Sequence, residues 1–128
     1  MAANVGKMVW IGRAISGLST LLFFVSAFMK LKGGDAVEKG MQHLGFSAGL
    51  MTPLAIVELS CVVLYLIPRT SVLGAVLLTG YIGGAICTHL RVGDPYYTQI
   101  ALGIAIWFGL WLREGRLWSL LPMRTSGP

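Results

Sequence analysis

Charged residues are scarce in this chain of 128 residues, of which they make up only 12%. Soluble domains carry about a quarter. Histidine and cysteine are scarce too, with two residues of each, and they form no CxxC pair and no Cys/His cluster. This excludes the usual structural metal sites, and no Gly-rich turn indicates a nucleotide site. Apolar residues make up 55% of the chain, so the sequence predicts an integral membrane protein. The missing motifs predict that it has no metal or nucleotide cofactor.

Four apolar stretches fill most of the chain, over residues 9–29, 52–67, 71–90 and 95–112. A spanning helix needs roughly 20 apolar residues, and irregular backbone cannot face lipid. We therefore predict one domain over residues 1–128, with an all-α fold: an integral membrane four-helix up-down bundle in contact with the lipid bilayer.

Small and turn-forming residues predict how these helices begin and pack. Two prolines, in Thr52-Pro53 and Asp94-Pro95, follow potential N-cap residues of helices 2 and 4, although helix 2 has an alternative start near Ser47. Small residues recur every four positions in helix 1, at Gly12, Ser16 and Thr20. Gly80 and Gly84 form a GxxxG arrangement in helix 3, which predicts packing inside the bundle, with a dimer face as the alternative.

A polar segment separates the first two stretches. Val37, Met41 and Leu44 repeat there at helical spacing, and His43 and Gly45 mark the end of the pattern. The sequence predicts a short amphipathic helix lying in the membrane interface between helices 1 and 2.

The net charge of +5 does not indicate a nucleic-acid partner, because the basic residues stand at the ends of the apolar stretches. There they anchor the helices in the head groups. The side that holds both termini carries six of them, Lys7, Arg13, Arg69, Arg113, Arg116 and Arg124. The opposite side carries four, Lys30, Lys32, Lys39 and Arg91. By the positive-inside rule we expect both termini in the cytoplasm. As the location we expect the plasma (inner) membrane of a prokaryote.

One carboxylate, Glu58, lies in the middle of the second apolar stretch. At 1.5 Å per residue, Glu58 and Tyr81 both lie roughly 9–12 Å below the outer surface. Further polar residues share this outer half, whereas we expect the inner half to be almost purely apolar. We predict a ligand-binding pocket that opens outward, with these residues in its floor and rim: Glu58, Tyr81, Lys30, His89, Arg91 and Gln99.

Two interpretations of this polar set remain open. An ionisable residue in a membrane usually has a partner and a function, but a buried hydrogen-bond cluster that only fixes helix register is the alternative. A neutral Glu58 could donate a hydrogen bond to a carbonyl or quinone oxygen, and an ionised one would pair with Lys30 or a cationic ligand.

Several sequence runs resemble the DoxX-like family of small four-helix membrane proteins. The most specific parts are Lys30-Leu31 at the end of SGLSTLLFFVSAFMKLKG, then Glu58-Leu59, IPRT at residues 67–70, and GYIGGAICTHLR at residues 80–91. The resemblance implies a place beside membrane redox complexes, including quinol and sulfur-compound oxidation, or in the assembly of other membrane proteins. It also implies that the family's recurrent polar positions coincide with Lys30, Glu58, Tyr81 and His89.

Three functions are compatible with these features. We expect an accessory or quinone-like small-molecule binding subunit in membrane redox metabolism, with membrane redox subunits as partners. The first alternative is a non-catalytic assembly factor, which could also form a homo-oligomer. The least favoured is an enzyme with Glu58 and His89 as acid and base.

Overall fold

The computed structural model describes residues 2–125, with side chains from residue 4, and over this range the protein is all-α. Residues 1 and 126–128 of the predicted domain lie outside the described residues. The α-helices are α1 (Ala2–Lys32), α2 (Asp35–His43), α3 (Met51–Leu66), α4 (Ser71–Arg91) and α5 (Tyr97–Arg113). Short 3-10 turns precede α3 and α4 and follow α5, over Ala48–Leu50, Pro68–Thr70 and Gly115–Ser119.

Helix boundaries differ from the predicted stretches mainly at the starts. α1 begins at Ala2 because no proline interrupts the polar segment ahead of residue 9. α3 begins at Met51, one residue before the predicted start, and a 3-10 turn with Ser47 as its N-cap leads into it, so Thr52 lies inside the helix and is not its N-cap. α5 begins at Tyr97. Asp94 therefore does not cap α5, and its carboxylate instead bonds to a histidine of α2.

Three segments of the described chain are long and apolar enough to cross a membrane: Asn4–Lys32, Ala48–Leu66 and Pro68–Arg91. α5 is also apolar but has 17 residues. Large apolar side chains such as Leu18, Phe28 and Ile104 are exposed along the outward helix faces. Such extensive exposed apolar surface is unusual in a soluble monomer and suits a lipid environment.

The long helices pack side by side in the order α1, α3, α4 and α5, and α5 also packs against α1. Ser16 bonds to Tyr65 and Ser26 bonds to Glu58, so α1 and α3 run in opposite directions. The completely buried side chains of Tyr65, Leu78 and Ile106 lie in the core between the helices.

Glycines set the closest helix contacts. A Cβ atom at Gly12 would lie 2.7 Å from the Gly109 carbonyl oxygen, which confirms close packing along the small residues of α1. In α4 the glycine that packs is Gly74, where a Cβ atom would overlap the backbone of Tyr65.

The expectation that Gly80 and Gly84 pack inside the bundle is wrong. A Cβ atom at either would meet no atom within 4 Å. Gly74 lies one turn from the buried Leu78 and shares its face, whereas Gly80 lies about 200° around the helix from Leu78. The GxxxG spacing alone does not show which face of a helix packs.

Candidate functional site

A cavity of about 360 Å³ lies among α1, α3, α4 and α5, beneath α2 and the residues that follow it. This volume is within the range of small-molecule sites. Apolar side chains form most of the wall, including Phe23, Leu54 and Leu102. The polar side chains in the lining are Ser26, Lys30, Glu58, Tyr81, Thr88, His89 and Gln99. Five of the six predicted site residues therefore line one cavity.

Glu58 lies at the centre of the polar wall and is only 1% exposed. Three donors converge on its Oε2 atom: Lys30 Nζ at 2.9 Å, Tyr81 OH at 3.1 Å and Ser26 Oγ at 3.4 Å. Its other oxygen, Oε1, accepts no hydrogen bond from the described residues. Oε2 thus accepts three hydrogen bonds, whereas Oε1 accepts none from the described residues.

Lys30 reaches Glu58 from the last turn of α1. Its ammonium group also donates to Ser26 Oγ, one turn earlier, at 2.6 Å. The Lys30 side chain is 15% exposed, so it lies at the mouth of the cavity while Glu58 lies below. The geometry is that of an ion pair, which agrees with the interpretation in which an ionised Glu58 pairs with Lys30.

His89 and Gln99 form a second polar group in the wall. His89 Nδ1 lies 2.7 Å from the Ala85 carbonyl oxygen, which can only accept, so this nitrogen carries the hydrogen. In a neutral ring Nε2 then accepts from Gln99 Nε2, at 3.4 Å. Gln99 Oε1 is buried and accepts no hydrogen bond within residues 2–125.

α2 and the residues after it cover the cavity with three apolar side chains, those of Met41, Leu44 and Phe46. This segment is tied down by a contact between His43 Nε2 and Asp94 Oδ2 of 2.9 Å, here named the α2 latch. The sequence missed the latch because 51 residues separate its members.

Arg91 is the predicted site residue that lies outside the cavity lining. Its Nη2 atom donates to the Leu44 carbonyl oxygen at 2.6 Å. Arg91 therefore holds the covering segment in place from the end of α4.

A second polar cluster lies in the opposite half of the helices, where the sequence predicted almost purely apolar packing; that expectation is wrong. The hydroxyl of the completely buried Tyr65 donates to the Ile106 carbonyl oxygen at 2.7 Å and lies 2.8 Å from Ser16 Oγ. Arg113 Nε donates to the same Ser16 oxygen at 3.1 Å, and its guanidinium carbon lies 4.8 Å from the centre of the Tyr65 ring. The position of Arg113 at a helix end predicts a head-group anchor, but the structure bonds its guanidinium to Ser16 and to the Tyr65 carbonyl oxygen.

The remaining side chains with possible site chemistry are the metal-binding groups and the two cysteine thiols. Within residues 2–125, no three His, Cys, Asp or Glu side chains are grouped to hold a metal ion. Cys61 is buried and Cys87 is exposed, and both are free thiols.

The apolar helices and the buried ion pair that faces a cavity define a class: a small integral membrane protein. The chain belongs to the DoxX-like family, whose profile matches residues 14–112. This match confirms the predicted resemblance and includes every polar residue of the cavity wall. The comparisons with curated proteins and with solved structures gave no match.

Proposed function

We propose that the four long helices cross the bilayer as an up-down bundle, with α2 lying in the outer interface and both termini in the cytoplasm of a prokaryote. Opposite helix directions and exposed apolar faces support this arrangement. α5, with 17 residues, rises about 26 Å, close to the hydrocarbon thickness of a thin bilayer.

Reporter fusions test the orientation. A fluorescent protein at the C-terminus should fold and fluoresce, and alkaline phosphatase at the same place should be inactive. The reverse result would place both termini outside.

We propose further that the protein is an accessory subunit of membrane redox metabolism that binds a quinone-like small molecule. The observation that carries this proposal is the cavity, in which apolar walls surround the Lys30–Glu58 ion pair. Such a site suits a molecule with a hydrophobic body and one polar head, the kind of molecule that dissolves in a bilayer. The resemblance to the DoxX-like family is what supports membrane redox subunits as the proposed partners.

The test is native mass spectrometry of the gently solubilised protein beside its Glu58→Gln variant. A small molecule bound to the wild type and lost from the variant would support the binding function and give the mass of the ligand. Protein partners retained by both forms, with no small molecule, would refute it.

An assembly or interaction factor is the second candidate, and exposed glycines on α4 favour it. A Cβ atom at Gly83 would meet no atom within 4 Å, and Gly83 borders an apolar groove beside α5. If a partner or a second copy packs there, Gly83→Leu should abolish copurification while Glu58→Gln leaves it intact. Gly17→Leu is the matched control, since Gly17 is equally open on α1.

The acid–base enzyme is not favoured. Glu58 and His89 line the same cavity, but both ring nitrogens of His89 are engaged, by Ala85 and Gln99. His89 Nε2 would have to release Gln99, 3.4 Å away, before it took a proton from a substrate.

A further inference from the structure

The hydrogen bonds around Glu58 indicate what kind of ligand the proposed site takes. Lys30, Tyr81 and Ser26 all donate to Oε2, and none of the described residues donates to Oε1. Among the described residues the buried side-chain atom without a hydrogen-bond partner is Gln99 Oε1, so Glu58 Oε1 opens into the cavity, where water or a ligand can donate to it. The cavity therefore presents an unmet acceptor at the place where its wall is most polar.

The hydroxyl groups of the wall add acceptors and no donors. Each hydroxyl has one hydrogen, and the hydrogens of Tyr81 and Ser26 point to Glu58 while that of Thr88 points to the Gly84 carbonyl oxygen. Gln99 contributes a further acceptor, Oε1, without a partner in the described chain. A ligand head that only accepts hydrogen bonds would meet lone pairs on these atoms, and the donors left to it are the third hydrogen of the Lys30 ammonium group and the second hydrogen of Gln99 Nε2.

The charge at the site further restricts the ligand. Lys30 already neutralises Glu58 at 2.9 Å, so a cationic ligand would bring an uncompensated charge into a mainly apolar cavity. Burial of such a charge is unfavourable. A neutral head that donates a hydrogen bond satisfies Oε1 without this cost.

We propose that the cavity binds a neutral, largely apolar molecule through a hydroxyl group that donates to Glu58 Oε1, in preference to analogues whose head only accepts hydrogen bonds. The inference rests on the proposed small-molecule site and names its ligand class. For a quinone-like ligand it selects the hydroxyl-bearing reduced form over the carbonyl form.

The experiment compares three probes of similar shape: 2-naphthol, 2-methoxynaphthalene and 1,4-naphthoquinone. Binding to the protein in nanodiscs is measured by equilibrium dialysis, and uptake by empty nanodiscs is subtracted. We expect 2-naphthol to bind roughly 10- to 100-fold more tightly than 2-methoxynaphthalene, the effect of one hydrogen bond to a charged group.

The Glu58→Gln variant sharpens the test because it should reverse the preference. Three donors converge on the Oε2 position, so the amide oxygen takes that position and the amide NH₂ faces the cavity. The variant should then bind the quinone or the ether at least as well as the naphthol. Leu102→Ala is the control: Leu102 lines the cavity without a polar group, so this change should weaken all three probes without altering their order.

The outcomes separate the inference from the proposed function. A naphthol preference in the wild type that Glu58→Gln removes supports both. Wild-type binding of the ether or the quinone at or above the naphthol overturns the donor inference and leaves the small-molecule site standing. If none of the three probes binds above empty nanodiscs, both are overturned. The wild-type comparison does not depend on the folding of any variant.

Discussion

The Lys30–Glu58 ion pair offers the strongest test of the structure. Glu58 is 1% exposed and Lys30 is 15% exposed, so the two single substitutions should have unequal effects. Lys30→Met leaves a buried carboxylate without its counter-ion, and removal of one partner of such a pair costs about 3–5 kcal/mol. Glu58→Gln leaves an ammonium group that can turn to the mouth of the cavity and keep its bond to Ser26. We expect it to cost about 1–2 kcal/mol.

The assay is the free energy of unfolding in mild detergent, measured by denaturant titration. Lys32→Met is the matched control, because Lys32 lies at the same end of α1 and is exposed. A surface change of this kind should stay within about 0.5 kcal/mol.

The double variant Lys30→Met/Glu58→Gln completes a thermodynamic cycle. We expect it to be more stable than Lys30→Met alone, since no buried charge remains, with a coupling energy of about 2 kcal/mol. Additive effects within about 0.5 kcal/mol, or equal costs of Lys30→Met and Lys32→Met, would refute the buried ion pair.

Three further predictions concern packing, accessibility and the covering helix. Gly74→Ala should destabilise the protein by about 1–3 kcal/mol, because the added Cβ atom overlaps the backbone of Tyr65. The control Gly83→Ala should stabilise the protein slightly, because alanine has the higher helix propensity. Equal unfolding midpoints of the two variants would contradict the close packing at Gly74. Cys87 should react with a maleimide well before the buried Cys61, as mass spectrometry of the labelled peptides will show, and equal rates would contradict the burial. Asp94→Ala removes both acceptors of the α2 latch, an exposed pair worth under about 1 kcal/mol, so hydrogen exchange of α2 amides should accelerate up to about fivefold. Unchanged exchange would show that the latch does not hold α2.

The meeting of Glu58, Tyr81 and Lys30 was predictable from the sequence. A helix rises 1.5 Å per residue whatever its composition, so depths counted from the helix ends place side chains on neighbouring antiparallel helices at the same level. The long stem of Lys30 allows it to reach down from the mouth. Depth along a helix follows from residue number alone, without knowledge of pairwise contacts, and for that reason the sequence places these three side chains together.

The covering segment was predictable only in part. The periodicity of apolar residues predicted α2 and its end at His43. Its attachment depends on Asp94 and Arg91, which local rules assign to a helix cap and a head-group anchor. In the structure Asp94 instead pairs with His43 of α2, and Arg91 donates to the Leu44 carbonyl oxygen. Side-chain partners that are distant in the sequence compete with local caps, and short-range sequence patterns do not predict them.

The cluster around Tyr65 bears on the interpretation of Glu58 as a purely structural residue. Tyr65 lies seven residues from Glu58, two turns along the same face of α3, and it already joins α1 through Ser16 and α5 through Ile106 and Arg113. These bonds connect three helices in a region that lines no part of the cavity. The register of α1, α3 and α5 thus has a second set of bonds besides the ion pair, whereas α4 is joined to Glu58 through Tyr81. The difference between the two clusters is that Glu58 Oε1 opens onto a cavity and receives no bond from the described residues, and this is the observation on which our ligand proposal depends.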